Sequence, residues 1–292
     1  MKGMDKAMEI LGNPSRTAAI LQKYDFRFQK KYGQNFLIDT HILDKIVASA
    51  HISEDDYVLE IGPGIGTLTQ YLAKSAAGVM AVEIDKALIP ILKDTLSEYN
   101  NVEIIHGDIL KLDINQLLNE RGIKKIKVVA NLPYYITTPI IMGVFENNIP
   151  VESITIMIQK EVAQRMQAGP GSKDYGALSL AVQYYAEVNI ITRVPGNCFL
   201  PKPNVDSMVI QLLKFDRPPV NVADEEFMFR LIRAGFNQRR KTLVNSLSHA
   251  VQVQLEKEKI VEALAEMGLA ATIRGEALTL MQFAELSNIL RC

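Results

Sequence analysis

Tyr57-Val58-Leu59-Glu60-Ile61-Gly62-Pro63-Gly64-Ile65-Gly66-Thr67-Leu68-Thr69 is the stretch whose reading decides the fold. Tyr57 to Ile61 is an apolar run of strand length, glycines crowd the turn after it, and a helical pattern continues through Ala73. Glycine at a strand-to-helix turn lets the backbone approach a ligand closely. A dinucleotide fingerprint would place its third glycine at position 67, which here is Thr67; the glycines stand at 62, 64 and 66.

The pattern of a buried strand with a polar end recurs downstream. Val79-Met80-Ala81-Val82-Glu83-Ile84-Asp85 is a second strand ending in an acid, and Glu83 is placed to accept from both hydroxyls of a ribose. Val102 to Ile105 leads into His106-Gly107-Asp108, where Asp108 can accept from an adenine amino group and His106 reads as a turn residue. Val128-Val129-Ala130 runs into Asn131-Leu132-Pro133-Tyr134-Tyr135. Four successive strand ends therefore carry glycines or polar groups at one sheet edge, the edge where open α/β sheets bind ligands. Glu60, Glu83, Asp85 and Asp108 make that edge acidic, which suits a cation better than a diphosphate. The methyl donor S-adenosylmethionine, a sulfonium needing no phosphate cradle, fits better than NAD. Glu60 can instead be structural, bonding backbone N–H groups of the glycine turn.

The end of the fourth strand carries the chemistry. Asn131 Oδ1 and the Leu132 carbonyl can accept the two N–H hydrogens of an exocyclic amine, while Tyr134 stacks on the ring. An adenine N6 or cytosine N4 is a poor nucleophile because its lone pair is delocalised. Two acceptors at the right angle favour a pyramidal nitrogen and free that pair. The plain alternative is an Asn-Pro turn with a core tyrosine. Further on, Ser153 to Gln159 and Glu187 to Val194 read as strands, and Lys160 to Gln167 and Leu178 to Tyr185 as helices. In Phe199-Leu200-Pro201-Lys202-Pro203-Asn204-Val205-Asp206-Ser207, two prolines make the segment rigid. Phe199 reads either as a second aromatic face clamping a flipped base against Tyr134 or as core packing. Ser207 to Phe215 is the last strand.

Net charge is only -1, so a basic surface must be local. Two segments concentrate it. Arg16, Lys23, Arg27, Lys30 and Lys31 are interleaved with Tyr24, Phe26 and Phe28 and face one acid, Asp25. Between Phe227 and Leu255, Arg230, Arg233, Arg239, Arg240 and Lys241 stand with no acid. Each reads either as an RNA-contacting face or as a solvated one. Asp216 to Val220 is a linker, after which helices are expected from Asp224 to about Ala234, on to about Val253, from Glu256 to Met267 and from Thr279 to Leu290. Met1 to about Gly12 reads as a loosely held extension. Cys198 and Cys292 lie far apart, which fits reduced thiols and no cysteine-bound metal. No stretch has the length of a signal peptide core or a membrane span, so a cytoplasmic chain is expected.

These residues together resemble the KsgA-type ribosomal RNA small-subunit adenine N6,N6-dimethyltransferase family. Gly33-Gln34-Asn35-Phe36-Leu37, the glycine turn from Glu60 to Gly66, Val82 to Asp85, Gly107-Asp108, Asn131 to Tyr134, Phe199 to Ser207 and Phe236 to Leu243 occur in the family's order. The resemblance implies S-adenosylmethionine contacts at Asn35, Leu37, Gly62, Glu83, Asp108 and Asn131. It implies an α/β fold: a Rossmann-like seven-stranded methyltransferase sheet, its final strand antiparallel, with a smaller all-α C-terminal domain. The expected division is a basic arm over 1–32, the methyltransferase domain over 33–215 and a helical RNA-contacting domain over 216–292. Catalytic roles fall to Asn131, Leu132, Tyr134 and Phe199, and RNA contacts to Arg27, Lys30, Lys31, Arg239, Arg240 and Lys241. The implied partner is small-subunit rRNA in an immature subunit, met by a monomer. The rivals are an erythromycin-resistance-type large-subunit methyltransferase, a non-catalytic assembly factor and a DNA adenine methyltransferase; the last is disfavoured because this sequence shows no recognisable duplex-reading module.

Overall fold

Residues 11–291 are described by a computed structural model. Their strands are β1 (Phe36–Leu37), β2 (Tyr57–Ile61), β3 (Gly78–Glu83), β4 (Val102–His106), β5 (Ile126–Asn131), β6 (Val151–Gln159), β7 (Ala186–Val194), β8 (Phe199–Leu200) and β9 (Ser207–Lys214). Seven of them form one sheet in the order β4-β3-β2-β5-β6-β9-β7. The strands from β4 through β6 are parallel, and β9 returns antiparallel against β6. Val58, Leu59, Val79, Ala81, Val128, Ala130, Ile154 and Ile156 are buried, the continuous pattern of parallel strands covered on both faces.

The order places the site. From β2 the chain steps outward to β3 and β4, then returns to β5 on the other side of β2. Connections leave β2 and β5 in opposite directions, which opens a crevice beyond their carboxyl ends. Glu60 lies opposite Val129 across this pair, so the glycine turn after β2 and Asn131 at the end of β5 are neighbours. The helix Thr40–Ala50 is capped by Asp39, which accepts from Ile42 N, and buries Ile42, Leu43 and Ile46. The helix Thr67–Ala73 begins directly after the glycine turn.

Some features escape a reading by pattern. The helices Ile89–Thr95 and Ile114–Glu120 are only seven residues each, too short for a clear period. A second sheet pairs β1 with β8, setting Leu37 opposite Phe199. The first ten positions of the expected loose extension lie outside the described residues, but Leu11 and Gly12 are buried. Leu11 N donates to Gln70 Oε1 at 3.1 Å, and Thr17 Oγ1 donates to the Leu11 carbonyl at 2.9 Å.

The chain forms two compact units: one runs up to Ala163 and includes Asn189–Lys214, the other joins Gln164–Val188 to the chain from Phe215 onward. A simple division at 215 therefore misses residues 164–188. Tyr175, Leu180 and Tyr184 from that stretch sit in the helical core with Met228, Leu231 and Phe283. In this unit the helix Glu225–Asn237 is capped by Asp224, which accepts from Phe227 N. The expected run on to Val253 is broken. Gln238 to Lys241 form a turn, Thr242 caps a new helix by accepting from Asn245 N, and that helix, Leu243–Ser248, is only six residues long. The basic residues 239 to 241 thus lie on a turn and not along a helix face.

Candidate active site

Gly62, Gly64 and Gly66 have φ of +71°, +63° and +90°, values L side chains rarely adopt. A Cβ on Gly64 would also fall 2.9 Å from the Phe36 ring. Without side chains the turn leaves one wall of a cleft open to backbone contact. The other walls come from the ends of β3, β4 and β5 and from residues 32–37. Asn35, Leu37, Gly62, Glu83, Asp108, Asn131, Leu132 and Tyr134 all line this cleft.

Glu83 closes the β3 end. Its Oε1 accepts from Asp85 N at 2.7 Å and its Oε2 from Gly64 N at 3.2 Å. So Glu83, and not Glu60, holds the glycine-turn amide. Each carboxylate oxygen has a second lone pair, so both retain capacity for a ligand hydroxyl. Burial pushes its pKa up to about 7 against the pull of those backbone donors. Glu60 is 1% exposed, and its Oε2 has no hydrogen-bond partner among the described residues. Burial, with the neighbouring Glu83 charge, pushes its pKa up to about 8. Asp108 Oδ1 accepts from Leu110 N at 3.1 Å, and its Oδ2 lies 3.7 Å from Lys111 Nζ. Asp85 faces elsewhere: its oxygens accept from Gln34 Nε2 at 2.8 Å and Gln29 Nε2 at 3.4 Å, holding residues 29–34 to the domain.

At the end of β5, Asn131 Nδ2 donates to the Asn35 carbonyl at 3.0 Å. A carbonyl only accepts, so the amide nitrogen must face it and Oδ1 is left for the cleft. The Leu132 N–H is spent on Met157 O at 3.1 Å, while its carbonyl has no partner among the described residues. The Tyr134 hydroxyl meets Ser207 Oγ at 2.6 Å.

Phe199 requires correction. It is 3% exposed, lies in the core with Leu37, Val194 and Val209, and does not line the cleft. Its pairing opposite Leu37 explains the placement. Sequence reasoning missed Tyr32 and Tyr135, which line the cleft, the latter 54% exposed. A doubled tyrosine after the proline turn was the available signal.

The rings of the basic arm are used for packing. Phe26, Phe28 and Phe36 stand 5.5 to 5.9 Å apart by centroid, and Tyr24 Oη donates to Asp94 Oδ2. Arg27 is exposed, Lys31 Nζ sits 4.4 Å over the Tyr32 ring, and the side chain of Lys30 lies outside the described part of the structure. In the helical unit Arg239 is bound to Glu276 at 3.1 Å and donates to the Lys173 carbonyl at 2.8 Å, so its guanidinium is held by the protein. Arg240 and Lys241 are exposed.

A model of the ribosomal RNA adenine dimethylase family matches residues 25–288. The chain belongs to this family. It is 64% identical over 285 residues to the ribosomal RNA small subunit methyltransferase A of Lachnoclostridium phytofermentans, covering 97% of this chain and 98% of the relative. The namesake of Alkaliphilus oremlandii is 53% identical, with 96% and 98% covered. Among solved structures, a dimethyladenosine transferase from Plasmodium falciparum aligns with a TM-score of 0.71 at 28% identity, over 86% of this chain and 95% of that one. The 23S rRNA methyltransferase ErmE aligns at 0.68 and 25% identity, over 88% and 100%. An adenine dimethylase of this family is an S-adenosylmethionine-dependent enzyme, and its charge-bearing residues can be tested directly.

Glu60 supplies a pH test. Its folded pKa of about 8 exceeds the ordinary 4.5, so between those values the folded state binds more protons than the unfolded chain. Stability therefore falls as pH rises through that window. Glu60→Gln is expected to flatten the decline in melting temperature from pH 5 to 9 and to melt above wild type at pH 8.5. Parallel melting profiles would contradict a buried, unpartnered Glu60.

Proposed function

We propose that this chain transfers methyl groups from S-adenosylmethionine to N6 of two adjacent adenosines in the 3′-terminal hairpin of small-subunit rRNA. The products are N6,N6-dimethyladenosines, made during maturation of the small subunit. The reading rests above all on Asn131 Oδ1 and the Leu132 carbonyl, two acceptors without a partner among the described residues, in residues that line the cleft.

The cleft suits the methyl donor. Its glycines offer backbone without Cβ atoms. Glu83 would take the ribose hydroxyls, Asp108 the adenine amino group, and Asn35, Leu37 and Gly62 the surrounding wall. S-adenosylmethionine supplies an electrophilic methyl on a sulfonium. Asn131 Oδ1 and Leu132 O accept the two N6 hydrogens of an adenosine stacked on Tyr134. These contacts would hold N6 in line with that methyl, and the proton shed by the alkylated nitrogen would pass to water. No general base is needed before attack; positioning and desolvation carry the rate. With Phe199 in the core, Tyr134 provides the stacking face.

Identity of 64% to a protein named for the small subunit, against 25% to ErmE, favours small-subunit rRNA over large. The intact acceptors at the end of β5 favour an enzyme over a non-catalytic assembly factor. No helix among the described residues is long and apolar enough to cross a membrane. We read the chain as a cytoplasmic monomer that meets the immature subunit.

Incubation with labelled S-adenosylmethionine and undermethylated small subunits, mapped by primer extension, is expected to place label at two adjacent adenosines near the rRNA 3′ end. Asn131→Ala should lower turnover by roughly 10²-fold or more while RNA affinity stays nearly unchanged. Near-normal methylation by that variant would contradict the reading. Arg240→Ala with Lys241→Ala should reduce the salt slope of RNA binding by about two, and Arg239→Ala should chiefly lower the melting temperature. An unchanged slope would make the turn a solvated surface.

A further inference from the structure

Tyr134 is held at both ends. Its backbone follows Pro133, and its phenol oxygen lies 2.6 Å from Ser207 Oγ. Ser207 is fully buried at the first position of β9, opposite Gln159 at the end of β6. The approach to β9 is also fixed: Lys160 N donates to the Asp206 carbonyl at 3.0 Å, and Arg193 Nε donates to the Asp206 carboxylate at 3.0 Å. The serine hydroxyl therefore sits on a rigid mount. A tyrosine ring swings about Cα–Cβ, and its phenol oxygen is the side-chain atom farthest from that axis. A bond there arrests the swing with the longest lever.

We propose that Ser207 is a positioning residue that fixes where the Tyr134 ring stands by arresting its swing about Cα–Cβ, and that this matters most for the second methyl transfer to each adenosine. The inference rests on the adenine-N6 reading above. An unmodified N6 carries two hydrogens, one for Asn131 Oδ1 and one for the Leu132 carbonyl. After one transfer a single hydrogen remains, so one acceptor loses its grip. Stacking on a fixed ring must then supply the alignment that the second hydrogen bond gave before.

The test follows both products. Wild type, Ser207→Ala, Tyr134→Phe and the double variant are incubated with undermethylated small subunits, and N6-monomethyl- and dimethyladenosine are quantified by mass spectrometry over time. Wild type should accumulate little monomethyl product. Each single variant should slow the second transfer by about tenfold more than the first, so that monomethyladenosine builds up. The double variant should be no slower than the worse single one, because both hydroxyls act through one bond. Equal slowing of both transfers in Ser207→Ala and in Tyr134→Phe would overturn the proposal, since fewer folded molecules depress both steps alike. A double variant that regains the wild-type product ratio would also overturn it, because the fault would then be an orphaned buried hydroxyl. If Ser207→Ala fails to fold, Tyr134→Phe carries the same comparison. A wild type that makes neither product defeats the underlying reading instead.

Discussion

A backbone carbonyl can accept a hydrogen bond and cannot donate one. The site depends on that asymmetry. Asn35 presents its carbonyl to the amide of Asn131, which forces the amide nitrogen toward it and the oxygen away. Beside it, Leu132 gives its N–H to Met157 in the sheet, leaving its carbonyl for the cleft. Two acceptors thus follow one another in the chain where a central strand ends, both in residues that line the cleft.

Strand order brings the rest of the site to these acceptors. The strand order reverses between the parallel neighbours β2 and β5, so the glycine turn and the asparagine share one crevice. The acids in the crevice are kept there at a cost to stability. Glu83 recovers part of it from two backbone N–H groups, while burial holds Glu60 toward its neutral form.

Much of this could be read along the chain. Apolar runs ending in Gly62, Glu83, Asp108 and Asn131 announced both the strands and the edge that matters, because each signal is local. The acceptor chemistry of Asn131 and Leu132 was legible for the same reason. What escaped depended on distant partners. Asn35 gained its place from resemblance alone; its contact with Asn131 spans 96 positions. Phe199 fitted a clamp or a core equally well until Leu37 was found opposite it. Arg239 looked like a phosphate contact because nothing nearby in sequence revealed Glu276. Thr242 caps a new helix, but the apolar pattern on both sides of it disguised the break.

The most direct measurement is a structure of the enzyme with an unreactive S-adenosylmethionine analogue and an RNA loop carrying adjacent adenosines. One adenosine N6 is expected within hydrogen-bond distance of both Asn131 Oδ1 and the Leu132 carbonyl, its ring on Tyr134. A bound adenosine whose N6 meets neither oxygen, with methyl donor and base both in the cleft, would contradict it.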